Sequence, residues 1–146
     1  MARFLCDAMC GSLARLLRMC GHDAAYTLDR GVEADDAVLA LARDEDRVLL
    51  TRDRALASRV PDAVLLTSRD VDEQLSAVAA AGYDLTLDEP TRCGACNGPL
   101  ERVPAGAETP ADVPDPDAES VWRCRDCGQC FWRGSHWADL RERLPD

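Results

Sequence analysis

The 146-residue chain contains no lysine: all 17 of its basic residues are arginine. That absence removes Schiff-base chemistry and a phosphate-loop lysine together. Long apolar runs are missing too, for no window approaches the ~18 uncharged apolar residues of a membrane span. The apolar start of the chain briefly looks like an export signal, but Asp7 interrupts it and Arg15 and Arg18 fall where it would continue. The expectation is a cytoplasmic chain. A positive surplus is likewise lacking: 27 acidic against 17 basic residues give a formal net charge of −10. This excludes a polyanion binder that works by bulk charge alone. It does not exclude a nuclease, because a bound divalent cation reverses the local sign of gathered carboxylates.

What is present reads as a globular chain, 47% hydrophobic and 30% charged. Its length suits one domain, or a domain of ~90–100 residues with a small appendage. Over residues 1–89, short apolar runs at 3–7, 24–29, 47–51 and 63–67 have strand length and polar or turn borders. Helical patterns lie between them. Leu13, Leu16, Leu17 and Cys20 share a face closed by Gly21, and Val38, Leu39 and Ala42 form a second face with Asp35 or Asp36 placed as its N-cap. A short helix is expected from Asp53 to about Ser58, and another from Ser68 through Val71, Leu75 and Val78 to Gly82. Strands and helices alternating in this way predict an α/β fold with a mainly parallel sheet and helices on both faces. After Glu89 the texture changes. Residues 90–146 hold two cysteine pairs, all three tryptophans, a proline-rich stretch and a last helix expected to open at Ser135 as its N-cap.

Eight cysteines without an export signal do not read as a disulfide framework. Cys93-Gly-Ala-Cys96 and Cys124-Arg-Asp-Cys127 are two Cys-x-x-Cys knuckles 27 residues apart, followed closely by Gly98 and Gly128. Four thiolates of this spacing predict a closed, structural Zn2+ site, with the glycines freeing backbone N–H groups to turn toward sulfur. Cys127-Gly-Gln-Cys130 has the same spacing. The first pairing is preferred because it leaves Cys130-Phe-Trp to continue as a strand. His136 is a weaker alternative ligand or a polar helix-start residue, and Cys6, Cys10 and Cys20 read most simply as buried small apolar side chains.

Acidic residues fall at the ends of the expected strands. Asp7 closes the first, Asp53 follows the third, and Asp35 with Asp36 opens the second helix. In a parallel sheet these positions share the carboxyl edge. Converging there, the carboxylates would repel one another unless Mg2+ or Mn2+ were bound, a common agent of phosphodiester hydrolysis. Among 19 aspartates, helix capping and turns are the competing explanation. Asp23, Asp29, Asp44, Asp46 and Asp62 are better explained as turn and surface residues. Met9 stands where an aspartyl-nucleophile phosphatase needs a second aspartate, which removes that reading.

Several stretches resemble the Mut-seven C-terminal RNase family, a branch of PIN-like nucleases. They are Phe4-Leu-Cys-Asp-Ala-Met-Cys-Gly-Ser-Leu-Ala-Arg, Asp35-Asp-Ala-Val-Leu-Ala, Val48-Leu-Leu-Thr-Arg-Asp-Arg and, in the ribbon, Arg92-Cys-Gly-Ala-Cys-Asn-Gly and Trp122-Arg-Cys-Arg-Asp-Cys-Gly-Gln-Cys-Phe-Trp-Arg-Gly-Ser-His-Trp. The resemblance implies a PIN-like three-layer domain over 1–89, a zinc ribbon with a short helix over 90–146, and a divalent-metal-dependent ribonuclease. It implies catalytic carboxylates at Asp7, Asp35, Asp36 and Asp53. The chain departs from the family at Ser12, where a basic residue is common, and at Cys130, where an aliphatic one is. Arg15, Arg52 and Arg54 flank the carboxylate edge as candidate phosphate contacts or as surface charge. Trp122, Phe131, Trp132 and Trp137, interleaved with arginines, suit either stacking on RNA bases or a small ribbon core. The expected partner is RNA, with a protein partner at the ribbon as the other use of that module. The alternative to an enzyme is a non-catalytic binding module whose acidic edge is degenerate.

Overall fold

The computed structural model describes residues 2–87 and 89–145. The four apolar runs form one parallel sheet of β1 (Arg3–Cys6), β2 (Asp23–Tyr26), β3 (Val48–Thr51) and β4 (Val64–Leu65), ordered β2-β1-β3-β4. Successive side chains of a strand face opposite ways, so one strand feeds two cores. Phe4 and Cys6 enter a cluster with Leu13 and Leu17 of α1 (Gly11–Met19), Leu75 and Val78 of α4 (Val71–Ala80), and Leu140 of α5 (Ser135–Arg143). Leu5 enters the other cluster with Val38 and Ala42 of α2 (Asp35–Asp44) and Leu56 of α3 (Arg54–Ala57). The result is the expected three-layer α/β arrangement. A second sheet of β5 (Leu100–Arg102), β6 (Val121–Cys124) and β7 (Cys130–Trp132) is antiparallel. Among the described residues no helix is long and apolar enough to cross a membrane.

Three helix starts differ from expectation: α4 begins at Val71 behind Asp70 and not at Ser68, and α2 and α5 differ as well. Asp35 and Asp36 lie in the first turn of α2 behind an N-cap at Ala34, and Ser135 is the first helical residue of α5 behind Gly134. Neither helix has a side-chain cap. The two aspartates instead oppose the positive end of the α2 dipole. Asp53 and Asp70 do cap, accepting from the N–H groups of Leu56 and Asp72.

Helix ends follow a common pattern. α1 and α4 stop at Gly21 (φ 89°) and Gly82 (φ 102°), each followed by an N–H that reaches back five residues, His22 to Leu17 and Tyr83 to Val78. α2 ends the same way, with Arg47 N–H on Ala42 O at 2.8 Å, but the left-handed position holds Asp46 at φ 52°. A side chain there is strained, and among the described residues Asp46 makes no side-chain hydrogen bond that would offset the strain. Asp46→Gly is therefore expected to stabilise the fold by about 0.5 kcal/mol. A urea midpoint that failed to rise would contradict this.

One expected surface residue is structural. Asp23 is a strand residue with a side chain 17% exposed, and it faces the buried Arg47 guanidinium at 2.8 Å. Arg47 Nε also meets Glu45 at 2.7 Å, and its Nη1 donates to Phe4 O at 3.1 Å. Burial opposes the Asp23 charge, but hydrogen bonds from Arg47 and Asn97 outweigh it and bring the carboxyl down to about 2. Bonds from Arg30 and Arg47 do the same for Glu45, also to about 2. Both folded values lie below the unfolded ones near 4. Their contribution is therefore complete above about pH 4 and is lost as pH falls toward about 2. Thermal unfolding followed from about pH 5 to about pH 2 should show a steep fall in midpoint, and Arg47→Met should flatten that profile.

Candidate active site and metal centre

The carboxyl edge of the parallel sheet carries a row of polar residues. One step past the paired strands, Thr27, Asp7 and Thr51 stand side by side, because Thr27 N–H donates to Cys6 O at 3.0 Å and Asp7 N–H to Leu50 O at 3.1 Å. Thr51 is fully buried and ties two of the candidate acids together. Its hydroxyl donates to Asp7 Oδ2 at 2.8 Å and accepts from Asp53 N–H at 3.0 Å. Ala8 N–H holds the other Asp7 oxygen at 2.8 Å. Tyr26 Oη donates to Ala8 O at 2.7 Å, so the loop after Asp7 is fixed from the neighbouring strand. Asp53 is exposed and keeps Oδ1 on Leu56 N–H at 3.1 Å, which leaves Oδ2 free.

The other candidates are placed less closely. Asp35 and Asp36 open α2, which follows β2 and so begins at the same edge. Asp36 is turned to Arg59 at 3.0 Å, and Asp35 makes no side-chain hydrogen bond or ion pair among the described residues. Among the described residues, the only three or more His, Cys, Asp or Glu ligand atoms within 4.8 Å of one another are those of four cysteines. The aspartates thus form an open edge and not a closed cage. An open edge suits Mg2+ or Mn2+, which keep several waters and take one or two carboxylates directly. Thr27 supports that fit: its hydroxyl is fully buried beside Asp7 with no partner, a position that asks for a water.

The arginines divide. Arg52 is half-buried with an Nε that has no partner, and Arg54 is exposed at the start of α3. Arg15 lies one turn into α1 against the ribbon, where a methyl on Gly94 would stand 3.4 Å from its Cγ. Cys10, at the N-cap of α1, is an inert thiol here, pushed up to about 11 by burial and by Asp7.

The sulfurs of Cys93, Cys96, Cys124 and Cys127 all lie within 4.8 Å of one another and can hold a metal such as zinc. Cys130 stands apart in β7, and the side chain of His136 lies outside the described residues. Burial opposes ionisation of Cys124, yet N–H groups of Cys127 and Asp126 aimed at its sulfur bring it down to about 7. The knuckle turns differ from the expected pair of glycines: the left-handed residues are Gly128 (φ 80°) and Asn97 (φ 72°). Gly98 is needed for another reason, since a Cβ there would come 2.9 Å from Cys124 Sγ.

A family model for the Mut7-C RNAse domain matches residues 2–144. The chain belongs to the Mut7-C RNAse domain family. No curated protein and no solved structure matches it. The family match spans the sheet edge and the four cysteines alike, and the structure joins them physically. In this Mut7-C RNAse domain, Asn97 accepts from Ala24 N–H at 3.0 Å and donates to Asp23 at 2.7 Å, while buried Arg18 donates to Gly94 O at 3.0 Å and to Ala24 O at 2.7 Å. The knuckle is therefore seated on the outer side of β2. Sequence reading missed Thr51, Thr27 and Asn97. The only signal was the Thr-x-Asp spacing of Thr51 and Asp53.

Proposed function

We propose that the chain is a divalent-metal-dependent ribonuclease that hydrolyses RNA phosphodiester bonds at the carboxyl edge of the parallel sheet. The observation that carries this is the pair Asp7 and Asp53 held by one buried threonine, in a chain of an RNase family. Asp7 and Asp53 are the residues that would hold Mg2+ or Mn2+, with Asp35 and Asp36 at the start of α2 as the further candidates for its waters. Bound there, the cation supplies a Lewis acid and an activated water at neutral pH. Thr51 fixes the Asp7 carboxylate, and Thr27 offers its hydroxyl to a water beside it. Arg52, half-buried just after β3, would turn its guanidinium to the scissile phosphate, with Arg54 and Arg15 serving the flanking ones. The four cysteines hold Zn2+ and keep residues 90–146 folded as a grip for the RNA. Four cysteines as metal ligands and four as thiols suit the reducing cytoplasm.

The test is cleavage of labelled single-stranded RNA by the full chain, with zinc content measured, in buffer stripped of divalent ions and then with Mn2+ or Mg2+ added. Cleavage that depends on the added ion supports the reading. A folded, zinc-loaded protein that cleaves none of a varied RNA set would instead be a binding module, with protein partners at the ribbon the next to try.

A further inference from the structure

Two hollows meet along α1. One, of about 390 Å3, lies between α1 and the ribbon hairpin, with Arg15 and Met19 on one wall and Gln129, Phe131, Trp132 and Trp137 on the other. The second, of about 270 Å3, shares Arg15 and Met19 and extends to Ser12 at the start of α1. Ser12 follows Asp7 by five residues, and α1 rises about 6 Å from Gly11 to Arg15. The two hollows thus run along α1 from its first turn to the ribbon.

The wall chemistry is specific. Phe131, Trp132 and Trp137 are half-buried, whereas Trp122 is 4% exposed beneath Arg102 and Arg133 and belongs to the ribbon core. Trp132 lies close over Gly134, where a Cβ would stand 2.7 Å from its indole nitrogen. Gln129 is exposed and presents both an amide donor and an acceptor. In a chain of net charge −10, this side carries Arg15 together with Arg133 and Arg141, which flank Trp137. Arg133 stacks on Trp137 with 5.8 Å between guanidinium and ring centroid. Aromatic faces, one planar amide and guanidinium groups at the mouth are the combination that takes a planar heterocycle attached to phosphates. We propose that the cleft between α1 and the ribbon hairpin binds one unpaired nucleobase of a single-stranded RNA whose phosphates meet Arg15, Arg133 and Arg141.

The inference rests on the nuclease reading for its substrate, and its volume is within the range of small-ligand sites. It makes single strands the preferred substrate, because bases in a duplex are not splayed out to enter. The test uses the full, zinc-loaded chain carrying Asp7→Asn, so that binding is read apart from cleavage. A short labelled oligoribonucleotide is compared by anisotropy with an abasic strand of equal length and with a duplex. The base-bearing single strand should bind about tenfold more tightly than the abasic one. Met19→Glu alters the α1 wall without touching the ribbon and should erase that difference at unchanged zinc content, as should Gly134→Ala by displacing Trp132. Equal binding of the two strands, or a difference that survives Met19→Glu, overturns the cleft. Discrimination without cleavage by the unmodified chain overturns the nuclease and keeps the cleft. Cleavage without discrimination does the reverse.

Discussion

Asp7→Asn is expected to lower metal-dependent RNA cleavage by at least about a hundredfold while lowering the unfolding midpoint by only about 2–5 °C. The fold tolerates the change for a local reason. An asparagine oxygen still accepts from Ala8 N–H, and its NH2 donates to the Thr51 hydroxyl, which retains a lone pair for Asp53 N–H and gives up only the acceptor of its own hydrogen, about 1 kcal/mol. What disappears is the negative charge at the centre of the Thr27-Asp7-Thr51 row. On the proposed reading that charge holds the cation whose stabilisation of the transition state is several kcal/mol, and each 1.4 kcal/mol is a factor of ten in rate. Thr51→Val tests the same geometry one step removed. It keeps both carboxylates but frees Asp7 Oδ2 and leaves the Asp53 N–H without its acceptor, and should reduce cleavage about tenfold to a hundredfold. Thr51→Ser should restore most of the loss, since it keeps the hydroxyl. Full activity in Asp7→Asn would remove the carboxylate edge from the chemistry.

Removal of the metal should have the largest effect on structure. With Zn2+ bound by four thiolates, the binding free energy of ~10–16 kcal/mol is also the folding free energy of the segment that holds it. Chelation, or Cys124→Ala, is expected to unfold the β5-β6-β7 sheet. The parallel sheet, with its own two cores, should persist. The chain carries its own reporter: all three tryptophans, at 122, 132 and 137, lie in the second half. Their emission should shift to the red on chelation while most of the far-ultraviolet helical signal remains. Unaltered emission from a demonstrably metal-free chain would show that the ribbon stands without the ion.

The sheet and its helices were legible because they rest on local periodicity. Phe4, Cys6 and Leu5 divide between two faces as a strand buried on both sides requires, and Gly21 and Gly82 stop their helices as written. The cysteine knuckles were legible through spacing alone. What the sequence hid is made by partners far apart along the chain. Asn97 finds Asp23 across 74 residues, Arg18 finds Gly94 across 76, and Thr51 finds Asp7 across 44. No local pattern marks such pairs. Asp23 was therefore read as a surface residue although Arg47 is buried against it. Helix starts misled for the opposite reason: Asp35, Asp36 and Ser135 are good caps by type, but the backbone begins its turn one residue earlier, at Ala34 and Gly134.

The knuckle on β2 has one more effect. β2 ends the sheet, and an end strand offers unpaired amides and carbonyls to any passing chain, a standing risk of aggregation. Here Ala24 presents both groups outward, and both are taken, the N–H by Asn97 and the C=O by Arg18. The knuckle, together with Arg18, is thus a guard on that border. If the four cysteines hold zinc, as proposed, a chain deprived of it would not only relax at one end but would uncover a strand able to pair with its own copies, so starvation for the ion should be seen first as insolubility.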